Sequence, residues 1–239
     1  MTERLFLEDA YLQSADAIVV AAEPGAIILD RTPFYARSGG QPGDRGTLIW
    51  SGGTIAVTEA TKGDADAIRH LVAPDAALPP PGSPIRASID FGPRHRLMRM
   101  HTALHLLCSL LPGISVTGGQ IGAEKSRLDL DISEPPDKAA LESGFAALIA
   151  ADHPVSTEWV DESILDTNPE LVRTLSVQPP RGTGRLRLVR VGAGPVPVDL
   201  QPCGGTHVRS TAEIGAITVL KIENKGRQNR RISLALGDL

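Results

Sequence analysis

Two short motifs set the strongest condition on how this chain can fold. One is His101-Thr-Ala-Leu-His105; the other, beginning 98 positions after His105, is Cys203-Gly-Gly-Thr-His207. The first lies in residues 94–111, where positions 97, 101, 104, 105, 108 and 111 are apolar or histidine. Steps of three and four place them on one helical face, with both imidazoles pointing the same way one turn apart. Pro93 suits a first helical turn, and Pro112-Gly113 a stop. Histidines on an apolar stripe need partners, either hydrogen bonds within the core or a metal that takes both neutral nitrogens. In the second motif, two glycines let the backbone fold sharply between a cysteine and a histidine, and Gln201-Pro202 reads as a rigid approach loop. His101, His105, Cys203 and His207 together make a mixed N/S donor set suited to Zn²⁺. A fold that uses the set must tie together distant parts of one domain. Four ligands favour a closed structural site, while the glycines favour room for a ligand.

Two other chemistries are weaker. A zincin protease carries its general-base glutamate directly after the first histidine, where this chain has Thr102. Cys108, three residues past His105, reads as a small buried hydrophobe. Its use as a nucleophile, with His105 as base, would need an exposed thiol of lowered pKa.

Residues 1–91 read as short strands, at 17–22, 26–29, 47–50, 54–58 and 85–89, broken by Pro24-Gly25, Ser51-Gly52-Gly53 and Pro79-Pro80-Pro81-Gly82. That pattern suggests a small barrel-like β domain. From residue 92 onward, helices at 94–111, 137–151 and a shorter one over 162–175, interrupted near Pro169, mix with strands at 155–160, 186–191, 217–222 and 231–236. The expectation is an α+β chain of two units, residues 1–91 and 92–239. Within the first, residues 31–44 form a Gly-rich loop containing Ser38, Gly39, Gly40 and Gln41. Such a loop can bring backbone amides to a phosphate or sugar, but it has neither a P-loop nor a dinucleotide pattern, and a tight β-turn is the plainer reading.

Charge adds direction. Residues 1–90 hold 7 Lys/Arg against 12 Asp/Glu, and residues 91–239 hold 17 against 16. The later cations cluster as Arg181, Arg185, Arg187 and Arg190, and as Lys221, Lys225, Arg227, Arg230 and Arg231. Local patches of this kind suit phosphate, or are simply solvated sheet faces. Aromatics at 3% argue against an aromatic platform for single strands. Two cysteines exclude a disulfide framework, no apolar run is long enough to span a membrane, and Glu3, Arg4, Glu8 and Asp9 interrupt any signal-peptide core. The expected setting is the cytoplasm.

The motifs together resemble one family. Thr32-Pro-Phe-Tyr35, Ser38-Gly-Gly-Gln41 and Gly43-Asp44 are similar to a segment of alanyl-tRNA synthetase. His101-Thr-Ala-Leu-His105 and Cys203-Gly-Gly-Thr-His207 resemble the two zinc motifs of its editing domain, and residues 222–226 and 229–232 its closing strands. The editing domain of threonyl-tRNA synthetase shares the metal motifs more distantly. With 239 residues there is no room for an aminoacylation domain, so the chain resembles the free-standing alanyl-tRNA editing proteins. The resemblance implies trans hydrolysis of tRNA(Ala) mischarged with Ser or Gly, with zinc as cofactor, by a monomeric chain without a membrane partner. It implies catalytic roles for Thr102 and Gln120. Substrate contacts would come from Ser38, Gly39, Gly40, Gln41, Arg187, Lys225 and Arg230. Glu124 and Asp129 are weaker candidates for a general base. Arg37 stands where the synthetase has an acidic residue, and Val116 or Thr117 replaces its glutamine. The alternative is a non-catalytic tRNA-binding module with a structural zinc, or a cysteine hydrolase using Cys108 or Cys203.

Overall fold

Alternation of apolar and polar residues builds the first half of the chain. In the strand Ser14–Glu23, Ala17 and Val19 are buried while Ile18 and Val20 face out. The computed structural model describes residues 1–175, 179 and 181–237 and divides into two compact units, Met1–Arg96 and Leu97–Leu239. The architecture is α+β, with more sheet than helix.

The first unit is a seven-stranded antiparallel sheet. Its order is Gly53–Val57, Gly46–Trp50, Pro84–Ile89, Ser14–Glu23, Ala26–Leu29, Ile68–Leu71, Glu59–Lys62. The expected barrel is not closed: the order has two ends, and no pairing joins Gly53–Val57 to Glu59–Lys62 among the described residues. The Ser51-Gly52 hairpin forms as expected, with Trp50 paired to Gly53. Ser38 and Gln41 exchange backbone hydrogen bonds of 3.1 and 2.9 Å across Gly39 and Gly40, whose φ angles of 55° and 82° suit glycine at both turn positions. Gly43 is needed for a different reason, since a Cβ there would sit 1.9 Å from the Ala60 carbonyl oxygen.

His70 is fully buried in this unit's interior. Its Nδ1 donates to the Ile27 carbonyl at 3.0 Å, and its Nε2 accepts from the Thr32 hydroxyl at 2.7 Å. Burial holds the imidazole neutral, lowering its pKa from 6.5 to about 4. The unfolded chain therefore takes up this proton first as pH falls. His70's contribution is complete above pH 6.5 and lost progressively toward pH 4, to the extent of about 3 kcal/mol. Denaturant titrations of the parent and of His70→Gln between pH 7 and 4 are expected to show a shallower pH slope in the variant. Equal slopes would refute this assignment.

The second unit is organised around helix α1, Phe91–Leu110. It starts just before Gly92-Pro93 and ends before Pro112-Gly113, as the sequence indicates. Its burial exceeds the single stripe expected: every residue from His101 to Cys108 is buried, around the whole circumference. Helix α2, Lys138–Ala150, begins where Asp137 accepts the Ala139 N–H at 2.9 Å. The third helix expected over 162–175 is shorter still, a turn Ile164–Thr167 and a 3₁₀ turn Pro169–Leu171, with the expected break at Pro169, which cannot continue the preceding helix. Two antiparallel sheets complete the unit. One has the order Val116–Gln120, Lys125–Leu130, Asn229–Leu236, Ile217–Gly226; the other Val155–Asp161, Arg185–Val191, Asp199–Pro202. Gln201 and Pro202 thus end a strand rather than forming a loop.

Candidate metal centre

The i, i+4 spacing on α1 aims His101 and His105 the same way, and the turn after Asp199–Pro202 delivers Cys203 and His207 to them. The four donor atoms all lie within 4.8 Å of one another. Cys203 Sγ is 3.5 Å from His101 Nε2 and 3.4 Å from His207 Nε2. A tetrahedral ion with bonds of about 2.0–2.1 Å to nitrogen and about 2.3 Å to sulfur requires N···S edges of about 3.5 Å. The donor set therefore fits a metal ion in both chemistry and spacing. The three histidines are buried, whereas Cys203 is partly exposed and Gly204 exposed, so the cluster meets solvent on the side of this turn.

Electrostatics agree. Burial alone would raise the Cys203 thiol, but the His101 and His207 imidazoles beside it hold it well below its ordinary value. Burial, with His101 nearby, pushes His207 down to about 3. Burial also opposes charge on His105, yet Asp199 and Cys203 lift it to about 10. The cluster is a thiolate among imidazoles that compete for one positive charge, which a cation supplies without strain.

The supports are specific. His105 Nδ1 donates to Asp199 Oδ2 at 2.8 Å, leaving Nε2 for the centre. Gln201 Nε2 in turn donates to both Asp199 oxygens at 2.9 Å. Thr102 is fully buried. Its hydroxyl donates to the Met98 carbonyl at 2.9 Å and lies 3.2 Å from His207 Nδ1, where it accepts that N–H. It also accepts the Val208 N–H at 3.3 Å. These partners place the Thr102 hydroxyl beside His207.

The other anticipated residues are placed as follows. Arg187 is buried; its Nη1 donates to the carbonyls of Cys203 and Gly205 at 2.7 and 3.1 Å and so shapes the ligand turn. Gln120 is exposed at a strand end, paired with Arg127. Lys225 is exposed at the tip of the last hairpin, and Arg230 is occupied there by the carbonyls of Gly226, Asn229 and Ser133. Glu124 is exposed. Asp129 is gripped by Arg231 at 2.6 and 2.7 Å, which holds its carboxyl below the usual range. Ser38, Gly39, Gly40 and Gln41 form the tight turn of the first unit. Arg37 is paired with Glu59. Cys108 is buried, and burial raises its thiol to about 12, which argues against Cys108 as a nucleophile.

The family model "Threonyl and Alanyl tRNA synthetase second additional domain" matches residues 186–233, and the model "tRNA synthetases class II (A)" matches residues 7–92. Alanyl-tRNA editing protein AlaX-M of Methanosarcina acetivorans is 35% identical over 250 residues, covering all of both chains. The protein of that name from Saccharolobus solfataricus is 32% identical, covering 97% of this chain and 98% of its own. The chain belongs to the alanyl-tRNA editing proteins. Alanine–tRNA ligase of Pyrobaculum arsenaticum is 34% identical over 93% of this chain, which corresponds to 25% of the ligase.

Sequence reasoning missed Asp199 and Gln201 as supports in this family member. Their signal was the two-residue step that puts both on the face from which Cys203 follows. Asp199→Asn keeps the shape but weakens the charge-assisted bond to His105. It is expected to lower metal affinity by about 10–100-fold in chelator competition. An unchanged affinity would remove Asp199 from the support.

Proposed function

We propose that this chain hydrolyses the ester of tRNA(Ala) mischarged with serine or glycine, in trans, using zinc held by His101, His105, Cys203 and His207. The observation that carries the reading is the buried quartet of three imidazoles and one thiol in a chain related end to end to alanyl-tRNA editing proteins. When bound, zinc supplies Lewis acidity toward the ester carbonyl and the attacking water. The chain's own residues hold the geometry. Asp199 fixes the His105 tautomer, Thr102 fixes that of His207, and Arg187 holds the Cys203–Gly205 carbonyls so that the thiolate and the exposed Gly204 face the substrate side. Lys225, at the hairpin tip, meets RNA phosphate; Arg230 keeps that tip in shape, and Gln120 is an exposed contact for the substrate.

The need for a hydrolytic second site is physical. Serine is alanine plus a hydroxyl, which an apolar synthetic pocket rejects poorly, whereas a site that hydrogen-bonds the hydroxyl spares alanine. The test is deacylation of Ser-, Gly- and Ala-tRNA(Ala) with and without a chelator. Hydrolysis of Ser- or Gly-tRNA that spares Ala-tRNA and stops on chelation is the expected result. Four protein ligands also complete a tetrahedron, as structural zinc sites do. That second reading predicts RNA binding without turnover by folded, metal-loaded protein.

A further inference from the structure

The register of the three-stranded sheet defines which side chains share the face that supports the cluster. Trp159 stands opposite Arg187, Asp161 opposite Arg185, Val189 opposite Gln201 and Val191 opposite Asp199. Directly opposed residues share a face, as do alternate residues along a strand. Asp199, Gln201, Arg187, Arg185 and Trp159 therefore lie on one face. Three of them already build the centre: Asp199 and Gln201 through His105, Arg187 through the Cys203 turn. The other two lie farther out on that face. There the Arg185 guanidinium carbon is 4.5 Å from the Trp159 ring centroid. Arg185 is exposed, and Trp159 is 37% exposed on an edge strand. The start of the Arg185 strand is fixed: Glu162 accepts the N–H groups of Gly182, Thr183 and Gly184 at 3.1, 3.0 and 2.9 Å.

We propose that the Trp159–Arg185 pair receives the nucleobase at the 3′ end of the RNA substrate, stacked on the outer plane of the guanidinium. This rests on the hydrolase reading above. An aminoacyl ester at the cluster leaves the base of the same nucleotide one nucleoside's length away, against the protein face beside the cluster. That face runs from the Cys203 turn through Arg187 to Trp159, its neighbour across the strand pair. Planar guanidinium and indole groups are what unpaired bases stack on, and the positive charge suits a polyanion. The indole holds the guanidinium flat, so little side-chain freedom is lost when a base arrives. One such pair suffices for a single base, so the low aromatic content of the chain is no obstacle.

The test uses the full chain carrying Trp50→Phe, which leaves Trp159 as its one indole. The probes are an uncharged RNA minihelix with a single-stranded 3′ end and the same RNA lacking its terminal base. The intact RNA is expected to change Trp159 emission, and Arg185→Ala to weaken its binding about tenfold, within the range of one base stack. The abasic RNA is expected to bind both proteins equally. With Ser-charged minihelix, Arg185→Ala raises KM about tenfold at nearly constant kcat and unchanged metal content, in proportion to the lost stack. Arg185→Lys does not rescue, because it keeps charge without a plane. Full rescue by lysine, or equal loss on abasic RNA, overturns stacking in favour of a phosphate contact. Hydrolysis that ignores Arg185→Ala also overturns it. Base-dependent binding without hydrolysis of any charged RNA would instead sink the hydrolase reading and leave the stacking site standing.

Discussion

Stripping the metal, or replacing His105 by alanine, is expected to lower kcat/KM on Ser-tRNA(Ala) by at least about 10²–10³, the scale of losing one preorganised electrostatic stabiliser. The two interventions separate catalysis from scaffolding. An ion that binds the folded chain at a thousandfold excess over its Kd stabilises it by about 4 kcal/mol, so chelation also lowers the melting temperature. His105→Ala leaves three donors and a weakened site, so its activity should recover in part at high zinc, whereas chelated parent protein should recover fully. Thiol alkylation reports the same geometry. Cys203 sits at the partly exposed side of the cluster with its thiol held well below the ordinary range, while Cys108 is buried with its thiol raised to about 12. A reagent is therefore expected to label Cys203 after metal removal, and zinc to protect it. Full activity in a folded, metal-free protein would rule out a catalytic ion.

The ligand quartet was legible because its information is local. An i, i+4 pair and a Cys-Gly-Gly-Thr-His turn each carry their geometry within five residues, and Pro93 and Pro112-Gly113 frame the helix. The supports were not legible, because their information is tertiary. Arg187 sits in a run of arginines that reads as a solvated face, and only the folded sheet shows its guanidinium buried against two carbonyls of the ligand turn. The partners of Thr102 were hidden as well: its hydroxyl meets the Met98 carbonyl and His207 Nδ1, and threonine, alanine and histidine weaken the apolar pattern that would have announced the burial of α1 around its whole circumference. Asp199 and Gln201 lie in a four-residue strand ending in proline, too short for a period-two signal. The strands Glu59–Lys62 and Ile68–Leu71 escaped for a similar reason, since Thr61, Lys62, Arg69 and His70 make them look like loop.

Asp44 shows a motif residue whose role the structure relocates, and it carries the largest stability effect expected here. It closes the Gly-rich loop and meets Arg94 in the interior of the first unit, with side chains 2% and 0% exposed. Arg94 Nε donates to Asp44 Oδ1 at 2.9 Å, Nη2 to Asp44 Oδ2 and to the Pro33 carbonyl at 2.8 Å, and Nη1 to the Ala10 carbonyl at 3.0 Å. Asp44 also accepts the Tyr35 N–H at 2.6 Å. One guanidinium thus pins the two ends of the loop and the segment before Ser14. Arg94→Met leaves a buried carboxylate and two carbonyls without their donor. A loss of about 3–5 kcal/mol in unfolding free energy is expected, measured by denaturant titration. The pair's own worth is smaller than that figure, because much of the loss is the cost of the stranded charge. Arg94→Met combined with Asp44→Leu removes that charge and is expected to recover part of the stability, leaving the unpaired Tyr35 N–H and the two carbonyls as the residual cost. If the double variant is as unstable as the sum of the singles, the two side chains act independently and the ion pair is not what anchors the loop.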